Sequence, residues 1–186
     1  MATEITTGRN GYVTKPSERE VLITRVIDAP RELVFKAWTD PERLKRWYAP
    51  KGCTTQFLKL DFRRDGTFHS CIRSPEGHEC WCKGTYHEIV VPEKIVFTVE
   101  ISDKYGNSVE PADAGMDPDW PRVTIVTVTF AEFGAKTKLT LHQTVLESIA
   151  KRTGAFPSWI EMLDRLAEDL ANDYVSLEVE LKGLEA

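Results

Sequence analysis

The stretch HSCIRSPEGHECWC, residues 69–82, gathers two histidines and three of the chain's four cysteines into fourteen positions. Imidazole nitrogens and thiolates are the ligands of a tetrahedral zinc site, so the residue types alone would suit a metal centre. Convergence on one ion requires His69, Cys71, Cys80 and Cys82 to share one face of a hairpin, and the turn length decides whether they do. A two-residue turn, Glu76-Gly77, sets Cys71 opposite Cys82 and collects all four ligands on one face. It also drives either Arg73 or Lys83 into the core, whichever face is buried. A three-residue turn, Pro75-Glu76-Gly77, is the common type I turn closed by a left-handed residue, a place glycine fills readily. Ser74 then opposes His78, Ile72 opposes Cys80, Ser70 opposes Cys82 and Phe68 opposes Gly84. Cys71 meets Trp81 and His69 meets Lys83 on the other face, so the ligand set is divided. The three-residue turn is the expected one. No metal and no other cofactor is expected, and Cys80 and Cys82 become small inward side chains of apolar character.

Elsewhere no familiar catalytic signature stands out. Residues 148–151 spell S-x-x-K, but its companion motifs are missing. A phosphate loop, a dinucleotide fingerprint and H-E-x-x-H are all absent from the sequence. Alternation places His69, His87 and His142 outward and His78 at a turn, where imidazoles are solvated. Inward polar groups carry more interest, because a pocket uses few of them to orient a ligand. Tyr86 and Glu88 continue the inward set of Cys80, Cys82 and Gly84. Tyr86 can offer its hydroxyl to a cavity or bond to backbone; a buried Glu88 would have a raised pKa and an acid–base use. Ser70 opposite Cys82 sets small against small, which leaves volume above the sheet.

These side chains need elements to hold them. EVLITRVI alternates as a strand, and two short helices follow: one over DAPRELVFKAW with Pro30 in its first turn, one over TDPERLKRW. Thr39 and Glu42 have capping-box spacing for the second helix, with Pro41 just inside its start. Six strands punctuated by turns run from Thr54 to Thr144. Their inward sets include Phe68, Ser70 and Ile72, then Ile95, Phe97, Val99 and Ile101, then Leu139 and Leu141. After Gly154 the period becomes helical, with Trp159, Leu163, Leu166, Leu170, Tyr174 and Leu177 on one stripe. The loop 103–121 is long for a compact domain. A lid anchored by Trp120 and a solvated excursion both fit it. Trp38, Trp47, Tyr48 and Trp159 suit either a pocket lining or a core.

The whole chain sets the frame. Its 186 residues fit one domain over 21–186, behind a polar arm over 1–20. A hydrophobic share of 41% with 28% charged residues is ordinary for a globular protein, and a net charge of −5 gives no support to nucleic-acid binding. No apolar run is long enough for a membrane span, and the first twenty residues lack the apolar segment of a secretory signal. A cytoplasmic location with the cysteines as thiols is the expectation.

Four segments, in order, resemble one family: IDAPRELVFKAWTDPERLKRWYAP, DFRRDGTFHSCIRSPEGHE, KGTYHEIVVPEKIVFT and GAFPSWIEMLDRLAEDLA. Over roughly residues 21–173 the chain resembles the activator of heat-shock protein 90 ATPase homologue family, in the START-like, helix-grip (SRPBCC) superfamily. Family members commonly carry two glycines where this chain has Asp65-Gly66, and Trp-Trp where it has Trp47-Tyr48. The resemblance implies an α+β helix-grip fold. A curved seven-stranded antiparallel sheet wraps around a long C-terminal helix, two short helices follow the first strand, and a cavity lies between. Superfamily relatives bind lipids, sterols, polyketides or other apolar molecules there, and some are enzymes. The partner expected is therefore a small, largely hydrophobic molecule. Trp47, Phe68, Ser70, Cys80, Cys82, Tyr86, Phe97, Trp159, Leu163 and Leu166 are its candidate lining. Two alternatives stand beside this: a cyclase- or lyase-like enzyme using Tyr86 or Glu88, and a protein-interaction module, chaperone-linked or homodimeric. Twenty polar residues do not supply the separate N-terminal domain of the family's co-chaperone, which speaks against chaperone activation.

Overall fold

Burial alternates residue by residue along the first strand, β1 (Glu20–Ile27): Val21, Ile23 and Ile27 are buried while Leu22 and Val26 face out. That period of two is what a half-buried strand requires. The computed structural model describes residues 19–184, with side chains through Asp173. Residues 1–18 of the expected arm, and the side chains of Tyr174 and Leu177, lie outside the described residues.

After β1 come α1 (Arg31–Thr39) and α2 (Pro41–Trp47), then β2 (Thr54–Leu60), β3 (Thr67–Arg73), β4 (Glu79–Val90) and β5 (Lys94–Ile101). Following the long loop are β6 (Val123–Phe133), β7 (Lys136–Leu146), α3 (Glu147–Arg152) and α4 (Ala155–Leu184). The seven strands form one antiparallel sheet in the order β1-β7-β6-β5-β4-β3-β2. Strands consecutive from β2 to β7 are neighbours, joined by short turns except for the long loop between β5 and β6. The jump from β1 to β2, at opposite edges, is carried by α1 and α2.

Helix starts follow local chemistry with one shift from expectation. Asp40, not Thr39, caps α2: its carboxylate accepts from the Glu42 amide at 2.9 Å and the Arg43 amide at 3.4 Å. Pro41 disfavours helical geometry in the residue before it, so Asp40 is extended (φ −85°, ψ 120°) and occupies the capping position. Thr39 ends α1 and turns its hydroxyl back to the Lys36 carbonyl. A short α3 precedes the expected helix, and Gly154 at φ +81° separates it from α4.

The β3–β4 hairpin has the three-residue turn. Gly77 has φ +90°, its amide donates to the Ser74 carbonyl, and the Ser74 amide donates to the His78 carbonyl. Ile72 pairs with Cys80, Ser70 with Cys82, Phe68 with Gly84, Cys71 with Trp81 and His69 with Lys83. One inward assignment fails further along β4. Tyr86 pairs with Phe97 but Glu88 pairs with Val96, so His87 is an extra residue, a β-bulge. Beyond it the faces exchange. Ile89 now opposes the buried Ile95, and Glu88 points to solvent with a carboxylate oxygen 2.7 Å from the Lys94 ammonium.

The core lies between the concave sheet face and the helices. Trp159, Met162, Leu163, Leu166 and Leu170 of α4 are buried against it, as are Val34, Phe35, Ala37 and Trp38 of α1. Burying each Leu or Met side chain is worth about 1.5–3 kcal/mol. Together they hold α4 in the grip of the sheet.

Candidate functional site

Between the sheet and the first turns of α4 lies a cavity of about 250 Å³. Its sheet wall consists of Phe68, Ser70 and Ile72 from β3, Cys80 and Cys82 from β4, Val99 and Ile101 from β5, and Gln143 from β7. Thr153 to Ala155, Ser158, Trp159 and Met162 from the α3–α4 joint face it. Tyr48 and Pro50 close one side; Met116 and Trp120 from the long loop close another. The loop is fixed there by Arg152, whose guanidinium reaches Asp117 at 2.6 Å and Asp119 at 2.9 Å.

Of the residues named from sequence, Phe68, Ser70, Cys80, Cys82 and Trp159 line this space. Tyr86 and Phe97 instead border a smaller void of about 20 Å³ beside it. Leu163 and Leu166 are fully buried core residues of α4. Trp47 is also fully buried, and its indole N–H donates to the Ala37 carbonyl at 2.9 Å. Gly84 is small for a different reason from Ser70: the Phe68 ring lies over it.

Gln143 was not singled out from sequence, although it continues the inward series Leu139, Leu141. It is only 3% exposed and fully engaged. An indole can only donate, so the Trp159 N–H fixes which end of the amide is oxygen. Trp159 Nε1 donates to Gln143 Oε1 at 2.8 Å, and Gln143 Nε2 donates to Thr124 Oγ1 at 3.0 Å. The chain holds Trp159 against the sheet. Arg165 positions the opposite side: its guanidinium donates to the carbonyls of Arg46, Ala49, Pro50 and Cys53 at 2.6–3.3 Å. Pro50 is thereby tied to α4.

Local electrostatics separate the thiols. The neighbouring Cys82 thiol stabilises the Cys80 thiolate and lowers its pKa, while Cys82, beside Cys80 and buried, is pushed well above the ordinary value. Cys71 is buried on the outer face between Gln56 and Trp81, and burial raises its pKa. Burial also raises the phenols of Tyr48 and Tyr86 above their ordinary value, so both are neutral donors at physiological pH. The imidazoles stay outside the cavity. His69 Nε2 lies 3.1 Å from the Asp103 carbonyl with its ring against Trp81, and His142 is 2.6 Å from Glu20. Among the described residues no three His, Cys, Asp or Glu side chains converge as a metal-binding group, and no helix is long and apolar enough to cross a membrane.

Structural comparison places this architecture among solved bacterial proteins. One from Chromobacterium violaceum shares 26% identity, covers 80% of this chain and 94% of its own, and superposes with a TM-score of 0.66. One from Nitrosomonas europaea shares 20% identity over 86% of this chain and 99% of its own, with a TM-score of 0.68. The AHSA1 protein of Silicibacter pomeroyi shares 21% identity over 83% and 99%, with a TM-score of 0.67. No curated protein matches the sequence. The family model described as "Activator of Hsp90 ATPase homolog 1-like protein" matches residues 28–171, six of the seven strands and the first half of α4. The chain belongs to that family and has its helix-grip fold.

Proposed function

We propose that the protein binds a small, largely hydrophobic molecule between the sheet and α4. The observation that carries this reading is the cavity of about 250 Å³, which persists because Ser70 and Cys82 are small where the wall could have been filled. Trp159, Met162, Ile101 and Phe68 supply apolar surface around it. A concave, mostly apolar space with few placed polar groups is the usual form of a small-molecule site. The catalytic alternative loses Glu88, which faces solvent, and retains a Tyr86 phenol that burial holds neutral. A neutral phenol can orient a ligand but is a weak base at physiological pH.

Filling the cavity tests the reading. Calorimetric titration with 2-ethylnaphthalene should show saturable binding to the native protein. Ser70→Phe should weaken it more than tenfold while circular dichroism shows an intact fold. Binding untouched by Ser70→Phe would place the ligand elsewhere.

A further inference from the structure

The cavity wall bears two thiols for which simple binding has no use. Cys80 and Cys82 both line the space, two residues apart on β4 and therefore on one face of the strand. Both are free thiols, and Cys80 keeps exposed surface through which a ligand can reach it. Several other polar atoms of the wall are already engaged. Gln143 is bonded at both ends, and the Thr153 and Ser158 hydroxyls donate to the Ile149 and Gly154 carbonyls. Burial holds the Tyr48 phenol neutral. Ser70 also lines the space, but a serine hydroxyl attacks only with a general base beside it. Among the described residues, no His, Lys, Asp or Glu lines the cavity. A thiol needs no such partner, because its thiolate forms within reach of physiological pH. The cysteines are therefore the competent nucleophiles of this wall.

Their surroundings divide the roles. The neighbouring Cys82 thiol favours the thiolate of Cys80, whereas Cys82, buried beside it, stays protonated. One suits a nucleophile and the other a proton source. The wall also restricts the electrophile. A charged one would have no countercharge, and a substitution would release an anion into an apolar space. Addition to a carbon–carbon double bond conjugated with a carbonyl releases nothing. Resting on the binding reading above, we infer that the ligand is a neutral, apolar α,β-unsaturated carbonyl compound and that Cys80 captures it as a thioether. The Cys80 sulfur bonds to the β-carbon, and the electron pair of the double bond passes through the enolate to the α-carbon. Cys82 gives that carbon its proton and recovers from solvent the one that Cys80 released on ionising. No oxidant or reductant is needed.

Benzylideneacetone, an apolar enone, is the probe, and peptide mass spectrometry reads the adduct. In the native protein the adduct should form at Cys80, with a rate that saturates as the probe concentration rises. 2-Ethylnaphthalene at about ten times its Kd should slow that rate about tenfold, because roughly a tenth of the cavity is then free. The reaction of free glutathione in the same solution should be unchanged. Cys80→Ser should abolish the adduct. Cys82→Ala, checked for folding by circular dichroism, should slow the saturated rate at least about tenfold through loss of the proton source. A rate at Cys80 that stays linear in probe, or that bound 2-ethylnaphthalene leaves untouched, would overturn capture in the cavity while leaving the binding reading standing. An adduct on Cys82 in place of Cys80, or a Cys82→Ala rate equal to the native one, would overturn the division of roles. Absence of any 2-ethylnaphthalene binding would overturn the binding reading and this inference with it.

Discussion

At the scale of single residues, Gln143 shows how a polar group can be buried without loss. Its amide joins Trp159 to Thr124, and each bond replaces one made to water. Gln143→Leu keeps the approximate volume but strips partners from a buried indole N–H and a buried hydroxyl. Stability measured by urea denaturation should fall by about 1–3 kcal/mol. Gly84 is constrained by space instead. A β-carbon there would lie 1.8 Å from the Thr98 carbonyl oxygen and 2.5 Å from the Phe68 ring. The carbonyl is backbone and cannot step aside, so Gly84→Ala should lower stability by at least about 1–3 kcal/mol in the same assay. Cys80 offers a chemical readout. Its pKa is lowered by the neighbouring Cys82 thiol. Alkylation of Cys80 by iodoacetamide, followed by mass spectrometry, should rise with a midpoint below the ordinary thiol value of 9.0. In Cys82→Ala the midpoint should move up toward that value.

At the scale of elements, the connection from α2 to β2 depends on a side chain more than a hundred residues later. Arg165 closes four carbonyls of residues 46–53 onto α4. Arg165→Leu leaves those carbonyls to water and unties Pro50 from the cavity rim. A loss of roughly 2 kcal/mol is expected, with faster amide hydrogen exchange confined first to residues 49–53. The β4 bulge is the other element-scale lesson. Period-two alternation from Cys80 predicts Glu88 inward, yet one extra residue at His87 reverses every side chain after it. The exchange sets Ile89 on the core side and a carboxylate in water, the better arrangement of the two.

At the scale of the whole molecule, Glu147 links three parts of the chain. It sits where β7 ends and α3 begins, and it pairs with Arg19 before β1 and with Lys151 on α3, each at 2.5 Å. The hydrogen bond from Arg19, then that from Lys151, lowers its pKa from 4.5 to about 2. A depressed folded-state pKa means the stabilisation is complete above about pH 4.5 and is lost as pH falls toward 2. Asp117 beside Arg152 is held near 2 in the same way. The melting temperature should therefore decline between pH 4.5 and 2. Glu147→Gln should flatten that decline in part, leaving the portion that Asp117 contributes.

Local pattern was enough for the strand faces short of the β4 bulge, the β3–β4 register and the division of His69 and Cys71 from Cys80 and Cys82. Each follows from alternation and from one glycine able to take a positive φ, properties that neighbouring residues decide among themselves. The fold was legible for the same reason, since seven alternating segments and one long apolar stripe leave few ways to bury every face. Only the tertiary structure decided which inward residues border empty space. Leu163 and Leu166 share the α4 stripe with Trp159, yet they fill the core, while Met162 and Trp159 face the cavity. That choice depends on the rotation of α4 against a sheet whose curvature and bulges no short window of sequence encodes. The small void beside the cavity belongs to the same class: a cavity is the volume left over when distant elements have finished packing, so it is a property of their meeting and of no single one of them.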